Sequence, residues 1–425
     1  MLNEKTLETY LAILKEELIP ATGCTEPIAI AYGAAKLRQL LGAQPTEVLA
    51  EVSGNILKNV KSVVVPNTGG LKGIKAAVAA GIVAGDPERE LQVITTVPTE
   101  KHQEIAAYVA STPIRVTCPD TPRVLDIRLT GKAGSDTAIV HIANSHTNIV
   151  HLEKNGEVLL DKPMTDSSED AYQDKDCLNV ADILEFANTV DAAALEPLVG
   201  RQIDLNSAIA EAGLKEDWGA NIGSILLDTC GKDVRVEAKA WAAAGSDARM
   251  SGCELPVCIV SGSGNQGITA SLPVVRYALH IGAGREKMLR AVALSDLVTV
   301  HQKAGIGRLS AYCGAISAGA GAGAGIAYLL DGSFEAIAHT IVNAVAILSG
   351  TICDGAKPSC AAKIAAGVDA GILGYEMYCH KKEFYGGDGI VTKGVDNTIA
   401  NVGVLAREGM KQTDRTILAS RTQEG

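Results

Sequence analysis

The chain has 425 residues, of which 47% are hydrophobic, 4% aromatic and 20% charged, and its formal net charge is −11. This length allows roughly two or three domains, and the apolar fraction supports a large core without disulfide or metal staples. Nucleic-acid binding is disfavoured, because neutralising phosphates requires basic patches that a diffuse acidic balance does not supply.

Helical and extended patterns alternate over the first part of the chain. Helices are predicted over 5–18, from Pro27 to the glycine at 42, in GLKGIKAAVAAGIVAG, and after an N-cap at Thr99. Strands or extended segments are predicted in PTEVLAEVSGNIL, KSVVVPNTG, LQVITTVP, IRVTCP, VLDIRLTG and TAIVHIANSHTNIVHLEKNGEVL, with a hairpin turn at KNGE. We therefore expect a mixed α/β domain over residues 1–165.

The pattern changes in the second part of the chain. A polar, acidic linker is predicted at 166–180, and nearly every later segment has helical periodicity punctuated by glycine. Only DVRVEAKAWAA is compatible with either a strand or a helix. The sequence thus predicts an α+β fold, in which a largely all-α domain rich in small residues, 181–425, follows the first domain.

Two uncharged runs, 311–330 and 336–353, are long enough to raise the question of a membrane. The first consists mostly of Gly, Ala and Ser, and the second contains His339, Thr340 and Asn343, so buried helices of a soluble domain are favoured. The N-terminus lacks a basic region followed by an apolar stretch, so we expect no signal peptide. These observations predict a cytoplasmic protein with no membrane partner.

Three of the ten cysteines have a setting that suggests ligands. Cys353 and Cys360 flank a bend containing Gly and Pro, and Cys313 precedes a Gly/Ala helix that should pack closely against its neighbours. Three converging thiolates suit a soft metal or an iron–sulfur cluster, whereas a structural zinc site would require a fourth protein ligand. The alternative is that these cysteines, like the others, are small buried hydrophobic residues.

The segment PATGCTEPIA contains a second candidate site. Cys24 lies just before a predicted helix that begins with Thr25. Free N–H groups and the positive end of a helix dipole lower a thiol pKa there and also bind a carboxylate. Alternatively, Cys24 is a packing residue and Thr25 only a helix cap.

Two glycine-containing polar loops could bind a small ligand. The loop SGSGNQG presents Ser263 and Asn265, and the turn VPNTGG presents Asn67, Thr68 and Gly69. The G-x-G-x-x-G spacing in the first loop is not a dinucleotide fingerprint, because the surrounding pattern is helical rather than βαβ. The turn could equally serve only to join two elements.

Taken together, PATGCTEPIA, VPNTGG, SGSGNQGITASLPV, AYCGAISAG and TICDGAKPSCAAK resemble the iron–sulfur L-cysteine desulfidase family, which is related to the L-serine dehydratase alpha chain. The resemblance extends over nearly the whole chain. GCTEP together with a distant cysteine followed by C-x6-C is its specific part, and serine dehydratases proper carry a Ser/His-rich motif in place of TGCTEP.

The resemblance implies that L-cysteine is converted to pyruvate, ammonia and sulfide. It implies a [4Fe–4S] cluster held by Cys313, Cys353 and Cys360, with the fourth iron open to the substrate. Cys24 matches the cysteine that acts as the base. No lysine has a setting that suggests a pyridoxal-phosphate Schiff base, so we expect no pyridoxal phosphate. The residues predicted to orient the substrate are Thr25, Asn67, Thr68, Gly69, Ser263 and Asn265.

Two other functions stay open at this stage. One is an L-serine dehydratase that uses the same cluster chemistry. The other is a non-catalytic amino-acid-binding protein in which the cysteine bend holds a structural metal. In each case the partner is a small amino acid, and the sequence is compatible with a homo-oligomer.

Overall fold

The computed structural model describes residues 2–164, 175–307 and 309–422. Its fold is α+β, as predicted, with a six-stranded sheet in the first half and helices in nearly all of the second half. Much of the predicted linker, 166–180, lies outside the described residues, so the domain limits at 165 and 181 stay a prediction.

The first half is built around α2, a buried helix that lies on the sheet. Leu129 and Ile142 of the sheet come within 3.1 and 3.3 Å of the position of a Cβ on Gly33 of this helix, so the helix and sheet approach closely. The elements in chain order are α1 (Glu4–Glu17), β1 (Pro20–Thr22), α2 (Thr25–Leu41), β2 (Glu47–Val52), α3 (Gly54–Val60), α4 (Gly73–Ala84), α5 (Lys101–Ser111), β3 (Ile114–Thr117), β4 (Asp126–Ala133), β5 (Asp136–Ala143), β6 (Ile149–Lys154) and β7 (Glu157–Asp161).

The sheet has the strand order β3-β2-β4-β5-β6-β7. Only the β2–β3 pair is parallel among these, and the other neighbours are antiparallel. Gly42 ends α2 in the left-handed conformation, with φ 76°, which confirms the predicted glycine stop.

Three local predictions in this half are wrong. The segment LQVITTVP is not a strand: a 3₁₀ helix occupies Pro87–Gln92 and turns follow it. Its backbone bonds mainly to itself in turns, as the N–H groups of Thr95 and Val97 donate to the carbonyl oxygens of Gln92 and Ile94, and Asn67 Nδ2 also donates to Ile94 at 2.9 Å. The end of PTEVLAEVSGNIL belongs to helix α3, and α5 begins at Lys101 with Glu100, not Thr99, as its N-cap.

The second half is a helical bundle, in which DVRVEAKAWAA is helical. No helix in the described part of the chain is long and apolar enough to cross a membrane. Its elements are α6 (Val180–Thr189), α7 (Ala192–Leu195), α8 (Arg201–Lys215), α9 (Ile222–Cys230), α10 (Val234–Met250), β8 (Pro256–Cys258), α11 (Gly264–His280), α12 (Arg285–Ile306), α13 (Gly314–Leu330), α14 (Phe334–Leu348), α15 (Cys360–Cys379), α16 (Val395–Val404) and α17 (Lys411–Thr422).

Glycines bring α13 and α15 into near-contact along their backbones. A Cβ at Gly319 would lie 2.3 Å from the backbone of Gly367, and one at Gly323 would lie 2.7 Å from the carbonyl oxygen of Gly371. Because both contacts advance in the same direction along the two helices, α13 and α15 are parallel. The repeated glycines therefore serve close helix packing, as predicted, and they align the first residues of the two helices at one end of the bundle.

A short two-stranded sheet joins the two halves. β1 pairs antiparallel with β8, and Pro20 lies opposite Cys258. β1 leads into the turn before α2, and β8 leads into the loop before α11. This pairing places the beginnings of α2 and α11 beside each other.

Candidate active site

Four helices begin at one cavity between the two halves of the chain. The N-cap residues of α2, α11 and α13 are Cys24, Ser263 and Cys313, and α15 starts at Cys360. None of these four described helix starts has a side-chain cap. Their first N–H groups and the positive ends of their dipoles favour an anionic occupant of the cavity.

Polar side chains from both halves line the cavity, together with its cysteines. Glu26 is the carboxylate among the described lining residues, and the cations come from several elements. The lining comprises Cys24, Thr25, Glu26, Lys58, Asn59, His146, Arg249, Ser261, Gly262, Ser263, Asn265, Gln266, Lys303, Leu309, Ser310, Tyr312, Cys313, Gly314, Ala315, Cys353, Gly355, Ala356, Cys360 and Ile364.

Backbone contacts bring the three predicted ligand cysteines to this cavity. Tyr312 and Ile352 form an antiparallel bridge, and on either side of it the Cys313 N–H donates to Thr351 at 3.0 Å and the Cys353 N–H donates to Ala311 at 2.6 Å. Cys360 reaches the same end of the bundle through the glycine contacts between α13 and α15. Residues that are far apart in the sequence thus share one wall.

The three thiols interact electrostatically. Burial and the negative charges of Cys353 and Cys360 raise the pKa of Cys313 to about 12. Burial likewise raises the pKa of Cys360, although Lys357 and Lys363 oppose this shift. A cationic group that shares their charge would favour the thiolates of Cys313 and Cys360, as a soft metal does for its thiolate ligands.

A lysine pair holds the loop between Cys353 and Cys360. Asp354 accepts hydrogen bonds from Lys357 and, at 2.7 Å, from Lys363. Burial opposes ionisation of Asp354, but these two ammonium groups lower its pKa to about 2. Lys357 thus stabilises the bend between Cys353 and Cys360.

The described residues contain no group of three His, Cys, Asp or Glu side chains close enough to hold one metal ion. In a four-iron cluster each thiolate binds a different iron atom, so the ligands lie further apart than those of a single ion. Three thiols that line one cavity match the donor set of an iron–sulfur cluster with one open iron, whereas a structural zinc site would need a fourth protein ligand.

Cys24 and Glu26 form a buried pair in the lining of the same cavity. The Cys24 thiol donates to Glu26 Oε2 at 3.0 Å, and Asn59 Nδ2 donates to Oε1 at 3.0 Å. Burial and the charge of Glu26 raise the pKa of Cys24 well above its ordinary value, although Arg249 opposes this. The predicted lowering of the Cys24 pKa by the helix N-terminus is therefore wrong for the ligand-free chain.

Glu26 itself stays charged. Burial opposes its ionisation, but His146, the hydrogen bond from Cys24 and Arg249 together hold the pKa of Glu26 below its ordinary value. Glu26 is not among the site residues predicted from the sequence. A buried acid in the first turn of an otherwise apolar helix was the available signal for Glu26.

Several buried polar atoms around the cavity lack a protein partner. Within the described residues, the atoms without a hydrogen bond include Oδ1 of Asn59, Nε of Arg249, Oε1 of Gln266 and the hydroxyl of Tyr312. Native structures leave few such atoms unsatisfied, and a polar ligand or water usually accounts for them. Their concentration here marks the cavity as a binding site for a polar molecule.

The predicted substrate-orienting residues separate into two groups. Thr25, Ser263 and Asn265 line the cavity, and Thr25 Oγ1 donates to the carbonyl oxygen of Gly262 at 2.9 Å. The turn at Asn67, Thr68 and Gly69 does not line it.

The side chains of that turn bond to the backbone instead. Thr68 Oγ1 donates to Val65 at 2.6 Å, as Asn67 does to Ile94. A Cβ at Gly23 would lie 2.4 Å from Pro66, which precedes the turn. The turn thus packs behind the loop that carries Cys24 and supports it.

Known proteins resemble this chain over most of its length. The family model of the serine dehydratase alpha chain matches residues 88–419. The chain belongs to this family. It is 57% identical over 415 residues to a UPF0597 protein of Desulfitobacterium hafniense, covering 98% of the chain and 96% of the relative. It is 47% identical to a UPF0597 protein of Treponema denticola, covering 98% of both chains.

Membership of the serine dehydratase alpha-chain family confirms the resemblance seen in the sequence motifs. Membership of this family indicates a lyase activity, and the serine dehydratase alpha-chain family is iron–sulfur-dependent. The cavity residues that were not selected from the sequence include Glu26, Asn59 and Arg249. Glu26 lies within the TGCTEP motif, whereas Asn59 and Arg249 lie in helices where no spacing pattern marks them.

Proposed function

We propose that the chain is an iron–sulfur-dependent lyase that eliminates sulfide from L-cysteine. Cys313, Cys353 and Cys360 would hold a [4Fe–4S] cluster, and Cys24 would accept the α-proton. The observation that carries this proposal is that these cysteines line one cavity into which four uncapped helices point. When bound, the cluster supplies a Lewis-acidic iron that stabilises developing charge on the departing sulfur.

The chain's own residues account for the remaining chemistry. The Cα–H bond breaks with its proton passing to Cys24 Sγ, the Cβ–S bond breaks, and sulfide leaves with the electron pair. The resulting aminoacrylate tautomerises to an imine, which water hydrolyses to pyruvate and ammonia. A positioned base contributes about 10²- to 10⁴-fold to such a proton transfer.

Cys24 has to lose its own proton before it can act as the base. In the ligand-free chain it is a thiol that donates to Glu26, and Arg249 is the nearby cation that favours its thiolate. Additional positive charge beside Glu26 would shift the balance further towards the thiolate. Buried surroundings keep bulk water away from the sulfur, since Cys24 is only 4% exposed.

The direct test is anaerobic reconstitution with iron and sulfide, followed by measurement of pyruvate and released sulfide from L-cysteine. L-Serine is assayed in parallel, because the family bears the name of serine dehydratase. We expect turnover of L-cysteine to exceed that of L-serine. If L-serine were turned over faster, L-serine would take the place of L-cysteine as the proposed substrate. If the reconstituted protein held a cluster but turned over neither amino acid, the proposal would be overturned.

A further inference from the structure

A buried arginine at the cavity has no carboxylate at ion-pair distance in the described part of the chain. Arg249, in the last turn of α10, is 2% exposed and lines the cavity. Its NH1 group donates to Asn265 Oδ1 at 3.0 Å, but within the described residues its Nε has no hydrogen bond and no carboxylate lies at ion-pair distance. A buried guanidinium without an anion in direct contact is unfavourable, and Glu26 acts on Arg249 only at longer range. Its placement therefore indicates an anionic group supplied by a ligand.

The start of α11 is shaped to accommodate this guanidinium. A Cβ at Gly264 would lie 2.3 Å from Arg249 Nε. The next residue, Asn265, supplies the one side-chain acceptor for Arg249, and Gln266 leaves its Oε1 without a partner in the described chain. The uncapped N-terminus of α11 and Arg249 thus present N–H groups to the same space, which suits a carboxylate.

Glu26 provides the complementary charge. Its oxygens accept from three side chains: Cys24 at 3.0 Å, Thr25 at 3.2 Å and Asn59 at 3.0 Å. Its own backbone N–H is a fourth donor, but the Thr25 hydroxyl has a second acceptor, the carbonyl oxygen of Gly262 at 2.9 Å, so an incoming ammonium can take the place of Thr25 at the carboxylate. Since Glu26 is the acid among the described lining residues, a cationic group entering the cavity finds its acceptor there.

Cys24 interacts with both of these charged groups. It donates to Glu26, and the positive charge of Arg249 also acts on it. An α-amino acid carries a carboxylate and an ammonium on a single carbon, the one that bears the proton to be removed. The positive charge of Arg249 and the negative charge of Glu26 near the Cys24 sulfur are complementary to the carboxylate and the ammonium of such an amino acid.

We propose that Arg249 binds the α-carboxylate and Glu26 the α-ammonium of the amino acid, and that the two together hold the Cα–H bond against Cys24. The assignment rests on the proposed function, because it concerns the same cavity and substrate class. It makes Arg249 and Glu26 the residues that select a zwitterionic amino acid over a simple thiol.

The test measures ligand binding to cluster-loaded Cys24→Ala protein, which binds ligands without turnover. The probes are L-cysteine, cysteamine, which lacks the carboxylate, and 3-mercaptopropionate, which lacks the ammonium. Adding Arg249→Gln should weaken binding of L-cysteine and 3-mercaptopropionate about 30-fold or more, and leave cysteamine within about threefold. Adding Glu26→Gln should instead weaken L-cysteine and cysteamine, leaving 3-mercaptopropionate nearly unchanged.

Two further variants separate recognition from folding. Gly264→Ala keeps the arginine but displaces its guanidinium, so it should reproduce the selectivity of Arg249→Gln; Gly284→Ala, where a Cβ meets nothing within 4 Å, is its control. Arg276→Gln is the control for losing a cation, because Arg276 is outside the cavity and pairs with Glu237 at 2.6 Å.

Each unfavourable outcome has a distinct meaning. Equal weakening of all three ligands by Arg249→Gln would overturn the assignment and show a structural role. Loss of iron or visible absorbance in Arg249→Gln would also overturn it, because Arg249 would then balance the charge of the cluster. If the cluster-loaded parent protein bound none of the three ligands, the proposed function itself would fail.

Discussion

The cavity has two walls that are built by different means. The thiol wall, formed by Cys313, Cys353 and Cys360, is positioned by backbone contacts: a strand bridge at Tyr312 and the glycine packing of two helices. The polar wall, formed by Cys24, Glu26, Asn59, Arg249 and Asn265, is positioned by hydrogen bonds between side chains from different elements.

This difference predicts which functions can be separated by mutation. Replacing one cysteine of the thiol wall leaves the backbone contacts intact, so the fold should survive while cluster binding is lost. Changing the polar wall removes recognition or proton transfer while the cluster ligands stay in place. The four predictions that follow test this separation, in order of decreasing loss of activity.

The largest effect is expected from the thiol wall. Cys313→Ala, Cys353→Ala and Cys360→Ala should each abolish activity and cluster retention, because each removes one of three ligands. Iron content, visible absorbance and sulfide release measure the two losses, and circular dichroism monitors the fold. Cys379→Ala is the matched control, since Cys379 is exposed at the far end of α15. A cluster of normal stability in any of the three variants would remove that residue from the ligand set.

The polar wall should give a large loss of turnover without loss of cluster. Cys24→Ala removes the base and should lower kcat about 10²- to 10⁴-fold, while absorbance and iron content remain those of the unmodified protein. Rates are measured anaerobically on protein with matched iron content. Loss of the cluster together with activity would show that Cys24 belongs to the thiol wall as a ligand.

Glycine packing provides an indirect way to disturb the thiol wall. Gly319→Ala places a Cβ 2.3 Å from the backbone of Gly367, so α13 and α15 must separate. Such overpacking costs about 1–3 kcal/mol of unfolding free energy and should loosen the cluster, giving a partial loss of activity. Urea unfolding and the rate of iron loss to a chelator report the two effects. Gly284→Ala is the control, and equal stability of the two variants would contradict the close helix approach.

The thiol wall was more accessible from the sequence than the polar wall. A cysteine pair around a Gly/Pro bend and a cysteine before a Gly/Ala helix are visible as local patterns, and family motifs identify them. Arg249 and Asn59 carry no local signature, because their roles depend on which helix ends meet. Likewise, the turn at 67–69 has the composition of a ligand loop, but its side chains bond to nearby backbone instead.

The fold class followed from periodicity, and the errors arose where tertiary contacts replaced a local preference. LQVITTVP has the β-branched residues of a strand, yet local turns and the Asn67 side chain make its backbone hydrogen bonds in place of a neighbouring strand. The predicted lowering of the Cys24 pKa was wrong for a similar reason. The helix dipole at Cys24 can be predicted from the sequence. The burial of the thiol and the contact with the Glu26 carboxylate, which raise its pKa, depend on tertiary packing.

The smallest effect on activity is expected from a buried acid outside the cavity. Asp296 in α12 is fully buried, and Gln202 Nε2 donates to its Oδ1 at 2.9 Å. Burial raises the pKa of Asp296 well above its ordinary value, although this hydrogen bond opposes the shift. Without a proton on the acid, Oδ2 of Asp296 and Oε1 of Gln202 both lack a partner in the described structure. A proton on Oδ2 would satisfy both, as in a paired carboxylic acid and amide.

Asp296→Asn should therefore preserve the pair and stabilise the protein at neutral pH. Because the folded pKa is raised, the wild-type acid contributes stability that is fully present below the unfolded pKa of about 4 and is lost as the pH rises towards the folded value. The variant does not titrate, so its stability advantage should grow by up to about 1.4 kcal/mol per pH unit from pH 5 upwards. Urea unfolding of both proteins between pH 5 and pH 8 measures this gap. A variant that is less stable at every pH would show that Asp296 is ionised in the fold, and unchanged turnover would place it outside both walls.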